Sequence, residues 1–309
     1  MNEGLVIQST GMWYKVKSGD RIIDSRLPGK FRLNEEEVTN PVAVGDRVEL
    51  SIEQDNTGII RQIHERKNYI PRQATHGRRG EQVLVANVDL AWVVLSIRQP
   101  SLKTGFIDRF LVACEAYHVT PAIIINKIDL ARKRDLELLD ELTSLYEGLG
   151  YRILLTSISD PESVERLKRN VTDKTSVFIG PSGTGKTSLL NAIDPELDLR
   201  TGEVSSYSSK GKHTTTFARL ISISDGGHIV DTPGIREFGL VNVEPYELSL
   251  FFPEMREHRK HCKYYNCTHS HEPGCAVMEA FEEGEIDPDR YNSYLNILES
   301  LEEASRSRY

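Results

Sequence analysis

The sequence predicts a multidomain α/β protein with a small N-terminal β-barrel, a central domain built on a doubly wound sheet, and a mainly helical C-terminal domain. Three observations predict this fold class. Short alternating segments separated by turn signals open the chain, apolar strands then alternate with helical patterns, and a Cys/His cluster precedes a final helical stripe. We place the domain boundaries at residues 1–70, 71–240 and 241–309.

Composition limits the classes of protein that fit. A chain of 309 residues is long enough for several domains, and its net charge of −8 excludes a uniformly basic nucleic-acid binder. No apolar run approaches the roughly 18 residues that cross a membrane. The polar start MNEGLVIQST lacks the basic and apolar regions of a secretory signal. We expect a cytoplasmic protein without a membrane partner, and a monomer, because nothing in the sequence demands an oligomer.

The pattern of the first 70 residues predicts a closed β-barrel. VAVGDRVEL followed by DNTGIIRQI has the alternation and turn signals of small all-β units, and the oligonucleotide-binding barrel is one possibility among several. A basic segment follows at residues 61–80, with six Lys/Arg and one Glu. A solvated linker and a nucleic-acid contact explain this segment equally well.

The central region predicts a mostly parallel sheet. Strands are expected at AWVVLSI, PAIIIN, RILLTS and TSVFIG, with helices near residues 106–117, 132–148 and 161–170 between them. Ligands of such sheets bind at the carboxyl ends of the strands. The loops NKID, TSIS and GPSGTGKTS each follow a strand, so we expect them to open on the same edge.

A phosphate-binding loop is predicted between the strand TSVFIG and the helix KTSLLNAI. Glycines allow backbone N–H groups to surround phosphates, and the helix N-terminus adds a positive dipole end. Lys186 would bridge the outer phosphates, and the Thr187 hydroxyl would bind Mg²⁺. The loop comprises Gly180, Pro181, Ser182, Gly183, Thr184, Gly185, Lys186, Thr187 and Ser188.

The segment Asn126-Lys127-Ile128-Asp129 predicts guanine recognition. The Asp129 carboxylate would accept hydrogen bonds from the guanine N1–H and 2-amino groups, which adenine cannot offer. Asn126 would brace the neighbouring loops, and the Lys127 stem would lie along the base. A weaker signal, Thr156 and Ser157 of TSIS, lies where a further base-contacting loop is expected.

Two further segments are candidates for Mg²⁺ binding and γ-phosphate sensing. Asp231-Thr-Pro-Gly234 fits an element in which Asp231 holds Mg²⁺ through water and the Gly234 amide contacts the γ-phosphate. In GKHTTTFARL we select Thr215 as an Mg²⁺ ligand, with Thr214 and Thr216 as alternatives.

Hydrolysis in many GTP-binding proteins uses a glutamine after this element, where the chain has Ile235. Intrinsic hydrolysis is therefore expected to be slow, unless another group orients the water. His213 is the nearest candidate for that role, although a contact with a partner explains it equally well. The candidate catalytic residues are His213, Lys186 and Thr215.

A metal site is predicted in HCKYYNCTHSHEPGC. Cys262, Cys267, His269 and Cys275 supply three thiolates and an imidazole, which is a closed tetrahedral set for one structural Zn²⁺. His261 and His271 are competing nitrogens, so the selection of His269 depends partly on spacing.

The order NKID, TSIS, GPSGTGKTS, HTTT, DTPG and Cys-x4-Cys-x-His-x5-Cys resembles that of the ribosome small subunit-dependent GTPase A family, which are circularly permuted GTPases. The resemblance implies an oligonucleotide-binding barrel, a permuted GTPase domain and a zinc domain. It assigns base recognition to Asn126, Lys127 and Asp129, and zinc ligation to the four residues above. Thr184 and Thr187 depart from the more usual Val and Ser, and both keep what the loop requires.

The function implied by this resemblance is hydrolysis of GTP to GDP and phosphate during late assembly of the small ribosomal subunit. The expected partners are GTP, GDP, that subunit and its rRNA, and the expected cofactors are Zn²⁺ and Mg²⁺. Two alternatives remain open at this stage. One is a nucleotide-gated RNA-binding scaffold with incidental hydrolysis, which Ile235 favours, and the other is an ATP-dependent enzyme with an accidental NKID.

Overall fold

A computed structural model describes residues 2–28, 41–73, 81–199, 218–231, 240 and 243–306 of the chain. Thirteen strands and six α-helices are assigned within these ranges. Eleven of the strands form one sheet, and the other two form a separate hairpin.

Five strands at the N-terminus close into a barrel, which confirms the predicted barrel. Its strand order is β1-β2-β3-β5-β4, closed by pairing of β4 with β1, and only β3 and β5 run parallel. This is the five-stranded barrel arrangement of oligonucleotide-binding folds. Alternate residues such as Val16, Leu50 and Ile60 fill the interior. The strands are β1 Asn2–Ser9, β2 Trp13–Ser18, β3 Arg21–Arg26, β4 Arg47–Ile52 and β5 Gly58–Ile63.

A two-stranded hairpin follows the barrel where sequence reasoning placed only a basic segment. Strand β6, Tyr69–Gln73, pairs antiparallel with β7, Glu81–Ala86. Val44, between β3 and β4, makes an isolated bridge to Val85 of β7. The hairpin therefore connects the barrel to the first strand of the central sheet.

The central sheet has the predicted alternation of strands and helices. Strands β10, β9, β8, β11 and β13 are adjacent and parallel, and β12 pairs antiparallel with β13. The elements are β8 Leu90–Ser96, α1 Thr104–Ala116, β9 Pro121–Asn126, α2 Lys133–Gly148, β10 Arg152–Thr156, α3 Pro161–Val171, β11 Thr175–Ile179, α4 Lys186–Ile193, β12 Arg219–Ser222 and β13 His228–Asp231.

Helices cover both faces of this sheet, so the doubly wound prediction is confirmed. Along β8, Val93 packs with α1 and α2 on one face, whereas Trp92 packs with α3 and α4 on the other. Successive side chains of a strand point to opposite faces, which explains why every residue of β8 is buried. Strand order reverses between β8 and β11, where ligands of such sheets bind.

The barrel and the central sheet are joined edge to edge. Gln8 of β1 pairs antiparallel with Arg219 of β12, which makes the two sheets continuous.

The C-terminal part is mainly helical. Three 3₁₀ helices, Pro245–Phe251, Pro253–Met255 and His258–His261, precede α5 Ala276–Glu282 and α6 Pro288–Arg306. The predicted stripe on the last helix is buried at Tyr291, Tyr294 and Leu298. The aromatic ring of Tyr294 meets Phe252 edge to face, with ring centroids 5.3 Å apart.

A buried charged cluster holds α6 against the central domain. Arg290 and Asp108 are each 1% exposed, and the Arg290 Nη1 donates to Asp108 Oδ1 at 2.6 Å. Arg290 also donates to both carboxylate oxygens of Glu254, at 2.7 and 3.2 Å. The Tyr146 hydroxyl donates to Asp108 at 2.8 Å. Burial opposes the charge of Arg290, but the bonds to Glu254 and Asp108 raise its pKa above the usual value.

Within the described ranges, none of the helices is long and apolar enough to cross a bilayer.

Candidate functional site

The candidate loops lie at one edge of the central sheet. Asn126 ends β9, Thr156 ends β10, Ile179 ends β11 and Asp231 ends β13, and these strands are parallel. The carboxyl ends of parallel strands meet at a common edge, so the expectation that NKID, TSIS and GPSGTGKTS open together is confirmed.

Glycine is required at several positions of the phosphate loop. Gly183 and Gly185 have φ of 83° and 93°, in the left-handed region that other residues rarely adopt. A Cβ at Gly180 would lie 2.1 Å from the carbonyl oxygen of Val94. The loop then leads into α4, which begins at Lys186.

The Lys186 ammonium lies within the loop. It donates to the carbonyl oxygens of Gly180 and Pro181 at 2.7 and 2.8 Å. The side chain is 8% exposed, which is unusual for a lysine, so its charge is held against the loop rather than in solvent.

Asn126 joins the three loops through its side chain. Its Nδ2 donates to the Thr184 carbonyl oxygen at 2.9 Å, and its Oδ1 accepts from the Thr156 hydroxyl at 3.0 Å. Asn126 is 2% exposed, and both ends of its amide are therefore paired in a buried position.

Lys127 and Asp129 lie beside this junction. Lys127 adopts φ of 62°, and its ammonium donates to the carbonyl oxygens of Gln99 and Gly183 at 2.6 Å each. Asp129 lies in a short 3₁₀ helix, Ile128–Leu130, and accepts a hydrogen bond from the Ser157 hydroxyl. The exposed Asp129 carboxylate therefore faces solvent at the edge where the loops converge.

Asp231 is the described part of the DTPG element. Its Oδ2 pairs with Arg219 Nε of the neighbouring strand at 2.8 Å. His213, Thr215 and Gly234 lie outside the described residues, as do Thr214, Thr216 and Ile235.

The four predicted metal ligands are brought together. The ligand atoms of Cys262, Cys267, His269 and Cys275 all lie within 4.8 Å of one another. The His269 Nδ1 lies 3.2 Å from Cys275 Sγ and 3.5 Å from Cys262 Sγ. Three sulfurs and one imidazole nitrogen at these separations could hold a metal ion, and the donor set suits Zn²⁺.

The structure distinguishes His269 from the two competing histidines. The His269 ring is 1% exposed and faces the thiols, whereas the exposed His271 contacts the Ser270 hydroxyl at 2.8 Å. His261 ends a 3₁₀ helix and is exposed. Burial lowers the pKa of His269 to about 4, so its ring is neutral near pH 7, as metal ligation requires.

Sequence reasoning missed a residue that orients the His269 ring. The Ser249 hydroxyl lies 3.0 Å from His269 Nε2 and accepts a hydrogen bond from Arg259 Nε at 2.9 Å. With the proton on Nε2, Nδ1 presents its lone pair to the thiols. Ser249 lies 20 residues before His269, and no local pattern connects the two.

The fold and these loops define a class of protein. A doubly wound sheet that carries a phosphate loop after an NKxD element, with DxxG further along the chain, is a circularly permuted P-loop GTPase.

Comparisons with known proteins give the particular family. A family profile described as "RsgA GTPase" matches residues 63–241, and one described as "RsgA N-terminal domain" matches residues 3–60. The chain belongs to the RsgA GTPase family.

Two curated relatives match nearly end to end. The small ribosomal subunit biogenesis GTPase RsgA 2 of Bacteroides thetaiotaomicron is 44% identical over 302 residues, which cover 97% of each chain. The small ribosomal subunit biogenesis GTPase RsgA of Phocaeicola vulgatus is also 44% identical, again over 97% of each chain.

Two solved structures have a similar fold. The crystal structure of YjeQ from Thermotoga maritima superposes with a TM-score of 0.79 at 35% identity, and covers 97% of this chain and 98% of its own. The structure of YloQ, a circularly permuted GTPase, gives 0.75 at 35% identity and covers 98% and 96%.

Proposed function

We infer that the chain is a GTPase that acts in biogenesis of the small ribosomal subunit. The observation that carries this inference is the convergence of the NKID and phosphate loops through Asn126, because it brings a guanine reader and a phosphate cradle to one nucleotide. The names of the curated relatives supply the small subunit as the partner. The chain would bind GTP and GDP, contact rRNA, and act in the cytoplasm as a monomer.

The residues divide into three roles in this proposal. Asn126, Lys127, Ile128, Asp129, Thr156 and Ser157 form the base site, residues 180–188 hold the phosphates, and Gly234 senses the γ-phosphate. Thr187, Thr215 and Asp231 would hold Mg²⁺, which neutralises charge on the phosphate oxygens when bound. Lys186 stabilises charge that develops on those oxygens, and His213 orients the attacking water.

Three domains carry this function, and we propose their limits as residues 1–70, 71–240 and 241–309. Separate apolar clusters inside the barrel and beneath α6 support the division. The central domain has its own clusters on the two faces of the sheet.

Exchange of Asp129 for asparagine tests guanine recognition. Asp129→Asn replaces an acceptor of two hydrogen bonds by a group that accepts one and donates one. GTP affinity is therefore expected to fall roughly 10- to 100-fold, the effect of a lost charged hydrogen bond. Affinity for xanthosine triphosphate should rise, because xanthine has an acceptor in place of the 2-amino donor.

Titration calorimetry with both nucleotides measures this exchange of specificity. Asp140→Asn, at an exposed position of α2, is the matched control and should change neither affinity. Equal GTP affinity in Asp129→Asn and the parent chain would remove the role proposed for Asp129.

GTP turnover titrated with purified small ribosomal subunits tests the function as a whole. We expect a large stimulation, because partners accelerate other P-loop GTPases by roughly 10³- to 10⁵-fold. The slow intrinsic rate follows from Ile235, which cannot orient water. If subunits bind in a GTP-dependent manner but leave single-turnover hydrolysis unchanged, the chain is instead a nucleotide-gated RNA-binding scaffold.

The metal centre is proposed to hold one structural Zn²⁺. Burial raises the pKa of Cys267, so the thiol would become a thiolate at neutral pH only with a cation bound beside it. Cys275→Ser removes one ligand. We expect the zinc content to fall from one ion per chain to near zero, and the free energy of unfolding to fall by several kcal/mol.

Elemental analysis and urea denaturation measure the two effects. Cys114→Ala is the control, because Cys114 is buried in α1 away from the cluster, and it should retain its zinc. Unaltered zinc content in Cys275→Ser would exclude this ligand set.

A further inference from the structure

A cavity of about 550 Å³ lies where the barrel meets the central domain. Its wall consists of residues 63, 64 and 66–69, which run from the last residue of β5 to the first of β6, residues 116–118 at the end of α1, and Pro41. The volume lies within the range of about 300–1,000 Å³ of small-ligand sites. It is separate from the loops that converge at the carboxyl edge of the sheet.

The wall combines cationic and aromatic groups. None of the described residues on it is acidic. The side chains of Lys67, His64 and His118 make no hydrogen bond or ion pair with any residue that the structure describes; the bonds of Lys67 and His118 are made by their backbones. Tyr69 and Tyr117 contribute two rings with centroids 6.5 Å apart and planes inclined by 34°.

Polar contacts hold this wall in place. Asp46, which is fully buried, accepts from Arg66 Nε and Nη2 at 2.7 and 2.8 Å. Asn68 donates to the carbonyl oxygens of Val88 and His118 at 2.9 and 3.1 Å. The Arg66 guanidinium therefore has a structural role, because it pairs with Asp46. Lys67 and the two histidines are the groups that face a ligand from a preformed surface.

We propose that this cavity binds one unpaired nucleotide of single-stranded RNA. The base stacks on Tyr69 or Tyr117, and Lys67, His64 and His118 donate to the adjoining phosphates. Unpaired bases stack on aromatic side chains while cationic groups follow the backbone, which is the combination present here. An acidic peptide would use the cations but not the rings. The basic segment after β5 is then a nucleic-acid contact rather than a solvated linker.

The proposal deepens the proposed function, because ribosomal RNA would supply the strand. Its test uses the full chain and a fluorescein-labelled ten-residue oligouridylate, with affinity measured by fluorescence anisotropy at several salt concentrations. Tyr117→Leu keeps the apolar packing but removes the ring, and should weaken binding roughly tenfold. Lys67→Gln should reduce the slope of log affinity against log salt by about 0.7, the value for one phosphate of a single strand.

The matched controls are not part of the cavity wall. Tyr246→Leu removes an exposed tyrosine, and Lys133→Gln removes an exposed lysine of α2. Both should bind the oligonucleotide as the parent chain does. If Tyr117→Leu and Lys67→Gln also bind like the parent, the proposal is wrong. It is also wrong if polyglutamate displaces the RNA as well as unlabelled oligouridylate does.

Photocrosslinking tests the site without a variant. The same oligonucleotide with 4-thiouridine should form adducts within residues 63–69 or 116–118, and adducts confined to other segments would overturn the proposal. Subunit-stimulated GTP turnover of the parent chain is measured separately. If the subunits do not stimulate turnover but the chain still binds the oligonucleotide at this cavity, the proposed function is wrong and the RNA-binding proposal stands.

Discussion

Lys186→Ala is expected to lower subunit-stimulated GTP hydrolysis by roughly 10²- to 10³-fold, the effect of removing one preorganised charge from a transition state. The ammonium lies inside the phosphate loop, where it donates to two loop carbonyls. Because the glycine-rich backbone and the start of α4 remain, the variant should still fold. The rate falls because the variant lacks the ammonium that stabilises negative charge on the transferred phosphoryl group.

Single-turnover hydrolysis at saturating small subunit separates this effect from weaker nucleotide binding. Lys133→Ala is the control, because its side chain is exposed at the start of α2. It should hydrolyse GTP at the parent rate. Turnover of Lys186→Ala within threefold of the parent would mean that this lysine does not act on the phosphates.

Arg290→Met is expected to destabilise the chain by roughly 3–5 kcal/mol, because two buried carboxylates lose their common partner. Asp108 and Glu254 would remain in the interior, with Tyr146 as the donor to Asp108. The cluster joins α1 and α6, so the loss should appear as separation of the C-terminal part from the central domain. Urea denaturation followed by circular dichroism measures the free energy.

An exposed arginine of the same helix provides the control. Arg306 pairs with Glu302 at 3.5 Å, and its side chain is 78% exposed. Arg306→Met should change stability by no more than about 0.5 kcal/mol, as expected for an exposed ion pair. If both variants lose the same free energy of unfolding, the buried cluster does not stabilise the chain more than an exposed ion pair does.

Short-range features were predictable from the sequence. The strand and helix around the phosphate loop follow from apolar runs and from glycines at required turns, and α4 begins at Lys186 as the motif indicates. The zinc ligands lie within one short loop, so their spacing predicted the cluster. In both cases, residues close in the chain determine the geometry.

Long-range contacts were not predictable. Arg290 and Asp108 are 182 residues apart, and each looks like an ordinary surface charge when read locally. The sequence did not predict the hairpin of β6 and β7, because β6 lies in the basic segment and shows no clear alternation of apolar and polar residues. The barrel topology could also not be chosen from the sequence. Strands β3 and β5 are parallel neighbours in the sheet, although β4 lies between them in the chain.

The pairing of Gln8 with Arg219 has a consequence for solubility. Without β1, the Arg219 end of the antiparallel strand β12 would lose this pairing, and unpaired strand borders recruit strands from other molecules. The barrel thus covers this end of the border against self-association. A fragment lacking the barrel should therefore aggregate, and its inactivity would not by itself demonstrate a lost contact with RNA.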